Sequence, residues 1–228
     1  MSVTENLKEV DELIRISAEK SGRTRDDIKL VAVSKTVPVE RIQEAVDAGQ
    51  TVFGENRVQE MVSKIPELPQ FVEFHLIGRL QKNKVKYIIK KTNLIHSLCT
   101  IDVAKEIDRL SRREDVVTDC LLQVNIGHED TKQGLDISEV DDFLCALTEL
   151  DNIRVKGLMA IAPPAEDPED VRSCFRQMKD KFDSIRENEK VSMKYLSMGM
   201  SHDFQVAVEE GANVVRIGSK IFGERIYL

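Results

Sequence analysis

The chain has 228 residues, 41% hydrophobic and 32% charged, which is ordinary for a globular protein with one large core. Its net charge of -7 argues against a nucleic-acid-binding protein, which would carry a basic excess, and leaves room for a small anionic ligand. Cys99, Cys120, Cys145 and Cys174 are widely spaced and form no CxxC pair, so neither a metal site nor a disulfide framework is expected. The start, Met1-Ser2-Val3-Thr4-Glu5, is polar and acidic, and no apolar run reaches membrane-spanning length; a cytoplasmic protein is expected.

Leu7, Val10, Leu13, Ile14 and Ile16 recur near helical spacing and predict an N-terminal helix that ends at Ser21-Gly22. Strand and helix then alternate. A strand over 29–35 precedes a helix over 39–48 that closes at Gly49. A strand over 51–56 precedes a helix that runs through Met61 and stops near Pro66. Strand 73–78 precedes a helix over 82–91, and strand 94–99 a helix over 101–112. Strand 119–125, a polar loop and a helix over 138–150 follow. Strand 155–162 leads through Pro163-Pro164 to a helix over 170–187. Strand 194–198 with helix 203–210, then strand 213–218 with a short last helix, complete the series.

Runs such as Leu30-Val31-Ala32-Val33 and Leu121-Leu122-Gln123-Val124 are apolar on both faces, as parallel strands covered by helices are. Eight βα units with short connections predict an α/β fold, a single TIM (β/α)8 barrel with an extra N-terminal helix and one domain over 1–228. A doubly wound open sheet is the rival; the count of eight and the lack of GxGxxG after the first strand disfavour it.

In such a barrel the chemistry lies at the C-terminal ends of the strands. The first strand ends in Lys35, the second in Gly54-Glu55-Asn56-Arg57, the seventh in Ser197-Met198-Gly199-Met200-Ser201. The eighth carries Arg216 and ends in Gly218-Ser219. Alternation puts Lys35 with Val31 and Val33, Asn56 with Val52 and Gly54, and Arg216 with Val214 and Gly218, so the three polar side chains point into one cavity if those sets face inward. Lys35 is either a surface lysine beyond a strand or an amine suited to Schiff-base chemistry. Gly199-Met200-Ser201 and Gly218-Ser219 either make turns and a helix cap or hold a phosphate after strands seven and eight. Arg216, inside an apolar strand, needs an acceptor: a structural carboxylate such as Glu55, or a ligand atom. His75, mid-strand, reads as a satisfied core group. A lysine for an aldehyde, a phosphate cradle and an arginine able to face a ring nitrogen describe a pyridoxal 5'-phosphate (PLP) site; a Schiff-base aldolase acting on a sugar phosphate fits the same physics.

The ordered motifs Val31-Ala32-Val33-Ser34-Lys35, Phe53-Gly54-Glu55-Asn56-Arg57-Val58-Gln59-Glu60 and His75-Leu76-Ile77-Gly78-Arg79-Leu80-Gln81-Lys82-Asn83-Lys84 resemble one family. So do Val124-Asn125 with Glu129, Lys132 and Gly134, then Gly157-Leu158-Met159-Ala160-Ile161, Leu196-Ser197-Met198-Gly199-Met200-Ser201, and Val215-Arg216-Ile217-Gly218 with Ile221-Phe222-Gly223. The chain resembles, nearly end to end, the pyridoxal-phosphate homeostasis proteins (the YggS/PROSC family). The resemblance implies a fold similar to the N-terminal barrel of alanine racemase, and PLP held as an internal aldimine on Lys35. It also implies that Ser201, Gly218 and Ser219 hold the phosphate, that Arg216 faces the pyridine nitrogen, and that Asn56 and Met200 line the ring.

The function expected is a carrier and buffer of PLP in vitamin B6 homeostasis, with a small PLP-dependent amino-acid racemase as the alternative. A racemase of the alanine type needs a second acid/base, in that family a tyrosine from a separate domain. This chain ends at Leu228 and offers Tyr87, Tyr195 and Tyr227, with Tyr195 expected near the start of its strand. The partners expected are PLP itself and, transiently, PLP-dependent apoenzymes, with no nucleic acid or membrane, and the chain is expected to be a monomer. Lys82, Lys84, Lys86, Lys90 and Lys91 flank an apolar stripe of Val85, Ile88 and Ile89 and read as the solvated face of a helix, with a docking surface for cofactor delivery as the alternative. Cys99 and Cys174 are expected to be buried as small apolar residues.

Overall fold

The computed structural model describes residues 2–127 and 133–223. Glu129, Lys132 and Tyr227 lie outside these residues. Helix α1 (Val3–Lys20) is fixed by a reciprocal cap: the Glu5 amide donates to Ser2 Oγ at 3.2 Å and the Ser2 amide to Glu5 Oε2 at 2.8 Å. Its buried face, Val3, Leu7, Val10, Ile14 and Ala18, takes in Leu7, Val10 and Ile14 of the expected stripe, while Leu13 and Ile16 are half-buried, and it lies along the outside of the barrel beside the last two helices.

Eight parallel strands close in chain order: β1 (Lys29–Val33), β2 (Val52–Glu55), β3 (Glu73–Leu76), β4 (Leu94–Leu98), β5 (Thr118–Val124), β6 (Ile153–Ala160), β7 (Val191–Ser197) and β8 (Val214–Ile217). Pairing of β1 with β8, in which Val31 stands opposite Arg216, shuts the ring. The helices that follow the strands are α2 (Val39–Asp47), α3 (Val58–Lys64), α4 (Ile101–Arg113), α5 (Val140–Ala146), α6 (Arg172–Ser184), α7 (Phe204–Glu209) and α8 (Ser219–Phe222). This is the TIM barrel with an added N-terminal helix. Leu30, Ala32, Phe53, Phe74, Leu76 and Ile95 face outward into the main core with the helices. Val31, Val52 and Val214 face inward, as do Leu94, Leu121 and Met159, and Tyr195 packs against both groups. Two-sided burial explains why these strands lack polar alternation. No described helix is long and apolar enough to cross a membrane.

Several boundaries differ from the sequence expectation. The segment after β3 is a 3-10 helix over Lys82–Tyr87 followed by turns, with Lys90 at a positive φ of 69°, and not an α-helix to residue 91. Closely spaced lysines repel, and the β-branched Val85, Ile88 and Ile89 disfavour the α form. Their side chains are nonetheless buried, so the apolar stripe anchors the segment while Lys84 and Lys86 lie over the Tyr87 ring. Helices α5 and α6 begin later than expected because 3-10 turns precede them, at Ile137–Glu139 and Pro168–Val171. Strand β7 begins earlier, at Val191, so Tyr195 sits well inside the strand. Cys120 is buried, Cys99 and Cys174 only half so, and none of the four cysteines is bridged.

Candidate functional site

Strands β1 and β2 stop before their polar residues. Lys35 stands in the turn beyond Val33, followed by Thr36 at a positive φ of 62°, and Asn56 follows Glu55. Lys35 is therefore half-buried at the mouth and not the last residue of a strand. The turn is held from behind. Lys64 Nζ donates to the Ser34 carbonyl at 2.8 Å, to Glu55 Oε1 at 2.7 Å and to Glu60 Oε1 at 2.7 Å. Ser34 Oγ donates to the same Glu55 oxygen at 2.7 Å, and the Thr36 amide to Glu60 Oε1 at 2.5 Å. Burial pushes the Glu55 carboxyl upward, against the Lys64 and Ser34 hydrogen bonds. Glu55 thus pairs with Lys64 on the outer side of the barrel and is not the acceptor for Arg216. Residues adjacent along a strand face opposite ways, so Glu55 cannot share the inward face of Asn56.

Arg216 is 4% exposed. It donates to Ser197 Oγ at 2.6 Å and to the Ala160 carbonyl at 2.8 Å. Burial lowers its pKa to about 10, opposed by Asp203, which leaves it a cation at neutral pH. Ser197 also meets His96 Nδ1 at 3.1 Å, and His96 Nε2 meets His75 Nδ1 at 3.0 Å. His75 is a satisfied core histidine, as expected. Desolvation lowers it to about 3 and holds His96 well below the ordinary imidazole value.

The loop after β7 turns at Gly199, φ 91°, where a Cβ would meet Phe204 Cα at 2.8 Å and Ala207 Cβ at 2.7 Å. Its carbonyl accepts the Arg216 amide at 3.0 Å. The Met200 amide donates to Asp203 at 2.6 Å. The Gly218 amide donates to Ser201 Oγ at 3.2 Å, which ties the loops after β7 and β8 together and leaves the Ser201 hydroxyl hydrogen available to an acceptor. Gly78 presses on Asn56: a Cβ there would meet the Asn56 carbonyl oxygen at 2.3 Å.

A cavity of about 330 Å³ opens at this mouth, within the range of small-ligand sites. Lys35, Asn56, Met200, Ser201, Arg216, Gly218 and Ser219 all line it, so the fold brings together the seven residues expected to face the cofactor, and leaves Glu55 and His75 outside it. Asn56 Oδ1 is buried without a hydrogen-bond partner. Val33, on the inward parity of Lys35, forms one apolar wall of the cavity; the walls at Ile77 and Ile161 and the exposed rim residue His202 carry no assignment from the sequence. The adjacency Ser201-His202 was the one available signal for the last. His96 was missed too, although it shares the inward parity of Leu94. A larger groove of about 410 Å³, lined by Thr4, Lys8, Glu12 and Arg25 among others, lies on the flank of α1 and has none of these convergent groups.

The model of the alanine racemase N-terminal domain family matches residues 6–226. A pyridoxal phosphate homeostasis protein of Aquifex aeolicus is 46% identical over 228 residues, covering 100% of both chains. Another, of Escherichia coli K12, is 38% identical over 231 residues, covering 99% of this chain and 97% of its own. Among solved structures, PipY of Synechococcus elongatus PCC7942 with PLP bound superposes with a TM-score of 0.82 at 30% identity, covering 97% of this chain and 100% of that one.

Proposed function

We propose, from the premise that this chain belongs to the pyridoxal phosphate homeostasis proteins of the alanine racemase N-terminal domain family, that it binds PLP at the barrel mouth and carries or buffers it without a catalytic cycle. The observation that carries the reading is the convergence of an amine, a buried cation and a hydroxyl donor, Lys35, Arg216 and Ser201, on one cavity. PLP supplies an aldehyde that a lysine amine can hold covalently.

The donor set fits that group. Ser201, with the Gly218-Ser219 loop, is placed to hold a phosphate through a hydroxyl and main-chain N–H groups. Asn56 Oδ1, buried and without a donor, fits a ligand that brings one. Met200, Ile77 and Ile161 offer apolar surface to a ring. Arg216 is given the ring-nitrogen side. A cation there disfavours protonation of the ring, which weakens it as an electron sink and suits storage. The same reading makes the protein a cytoplasmic monomer that meets PLP-dependent apoenzymes transiently.

A small amino-acid racemase is the second reading, and His202 is the observation in its favour. It stands exposed on the cavity rim, with Nε2 3.1 Å from the Glu166 carbonyl oxygen, apart from the buried histidines. The described tyrosines do not line the cavity: Tyr87 is exposed on the 3-10 segment and Tyr195 is packed in the barrel interior.

The test is uptake of PLP by the purified protein, followed by borohydride reduction and peptide mapping. The expected result is one modified residue, Lys35, and loss of the absorption band in Lys35→Ala. Substantial turnover of an amino acid by the wild type would overturn the carrier reading. Absence of PLP uptake, with a sugar phosphate trapped on Lys35 instead, would point to an aldolase.

A further inference from the structure

The interior of a TIM barrel is normally filled by branched apolar side chains. Here a file of polar groups crosses it: His75 is 2% exposed, His96 0%, Ser197 0% and Arg216 4%. Burial of such groups is costly unless each is satisfied, so the direction of every hydrogen bond matters. Arg216 has only donors, and Nη1 gives one to Ser197 Oγ at 2.6 Å. The Ser197 hydroxyl hydrogen is then turned to His96 Nδ1, 3.1 Å away, which must be bare. His96 carries its proton on Nε2 and donates it to His75 Nδ1 at 3.0 Å. The His75 proton is left on Nε2, facing Glu73 Oε2 at 3.9 Å, a carboxylate that can only accept. A donor-only group at one end and an acceptor-only group at the other impose the same direction.

From this geometry we infer that His75, His96 and Ser197 are positioning residues for Arg216: a one-way chain, with both histidines neutral and protonated on Nε2, that orients the guanidinium toward the cavity. The inference rests on the reading of that cavity as a PLP site. Both acceptors of Arg216, Ser197 Oγ and the Ala160 carbonyl, are neutral, so its charge is not spent on a carboxylate hydrogen bond and remains directed at the ligand. Reversing the chain would give Ser197 two donors and no acceptor for its own hydrogen, and would leave a bare His75 nitrogen facing Glu73. A positive charge on either ring would also sit among Lys29 and Arg216, the cations that face the pair.

Two measurements test this. Long-range proton–nitrogen spectra of histidine-15N-labelled protein, without added PLP, should show His75 and His96 neutral and protonated on Nε2 at pH 6.5; an Nδ1-protonated or charged ring at either position overturns the chain. With PLP added, Ser197→Ala should raise the dissociation constant roughly fivefold and move the pH midpoint of the bound-cofactor absorption band, whereas Ser197→Thr, which keeps the hydroxyl, should retain the wild-type midpoint. Equal midpoints in all three proteins overturn the positioning role, whatever the variants' melting temperatures. Failure of the wild type to take up PLP overturns the reading of the cavity and with it this role for Arg216, a failure that the cofactor-free spectra distinguish from failure of the chain.

Discussion

Lys64 Nζ lies 2.7 Å from Glu55 Oε1, with the two side chains only 8% and 0% exposed, and the same ammonium holds the carbonyl of Ser34, the neighbour of Lys35. A buried ion pair and the turn that carries Lys35 thus share one clamp. Lys64→Met leaves Glu55 buried without its cation and is expected to cost about 3–5 kcal/mol in urea unfolding. Lys64→Met with Glu55→Leu should recover most of that loss, because the uncompensated charge is gone. If the double variant is no more stable than the single one, the pair is not the source of the loss.

Glu60→Gln separates positioning from stability. Glu60 accepts the Thr36 amide as well as Lys64, and its side chain is 21% exposed, so the fold should lose only about 1 kcal/mol. Loosening of the 34–36 turn should show in slower modification of Lys35 by PLP. An unchanged rate would show that the turn keeps its shape without this contact.

Gly78→Ala acts on the site through the backbone. The new Cβ would stand 2.3 Å from the Asn56 carbonyl oxygen and 2.7 Å from its Cα, so the Asn56 segment must move. A loss of about 2–3 kcal/mol in stability should accompany weaker PLP binding. By contrast, Lys84→Glu with Lys86→Glu, on the 3-10 segment, should change stability by no more than about 0.5 kcal/mol and leave the PLP dissociation constant unaltered; slower delivery of PLP to an apoenzyme in the same variant would mark the segment as a docking surface.

The buried histidines set an acid limit. His75, lowered from 6.5 to about 3 by burial, and His96, lowered for the same reason, stay neutral in the folded protein. The unfolded chain protonates both once the pH falls below 6.5, so it then binds more protons than the folded state. Stability should be undiminished by these groups above pH 6.5 and should fall as pH drops from there, by about 1.4 kcal/mol per pH unit for His75 down to about pH 3, with a loss of the same sign from His96. Urea midpoints measured between pH 7.5 and 5 check this, and a flat profile would show that the folded protein protonates the pair as readily as the unfolded chain does.

Much of the site was legible in the sequence for one reason. In a parallel barrel the residues that follow the C-terminal ends of the strands share one mouth, so Lys35, Asn56, Ser201, Arg216 and Gly218 could be assigned to it by counting strands and parity. Helical order after β3 was not legible, because the apolar spacing of Val85, Ile88 and Ile89 serves a 3-10 turn as well as an α-helix, and the choice was made by lysine repulsion and by what those side chains pack against. His202 carries no periodic signal, being a rim residue, and only its adjacency to Ser201 pointed to it.

By itself the order of apolar runs and helical faces determined the eight strand–helix units and put Arg216 on one strand face with Val214, since both follow from side-chain periodicity, a local property of the chain. Only the tertiary structure decided what Arg216 touches. Glu55 was a reasonable acceptor by type, but strand alternation turns it outward to Lys64, and the closing of the barrel brings Ser197, 19 positions away, and through it His96, 101 positions from that serine, into the gap. Pairings across a closed ring depend on register between strands distant in sequence, and no local pattern carries that information.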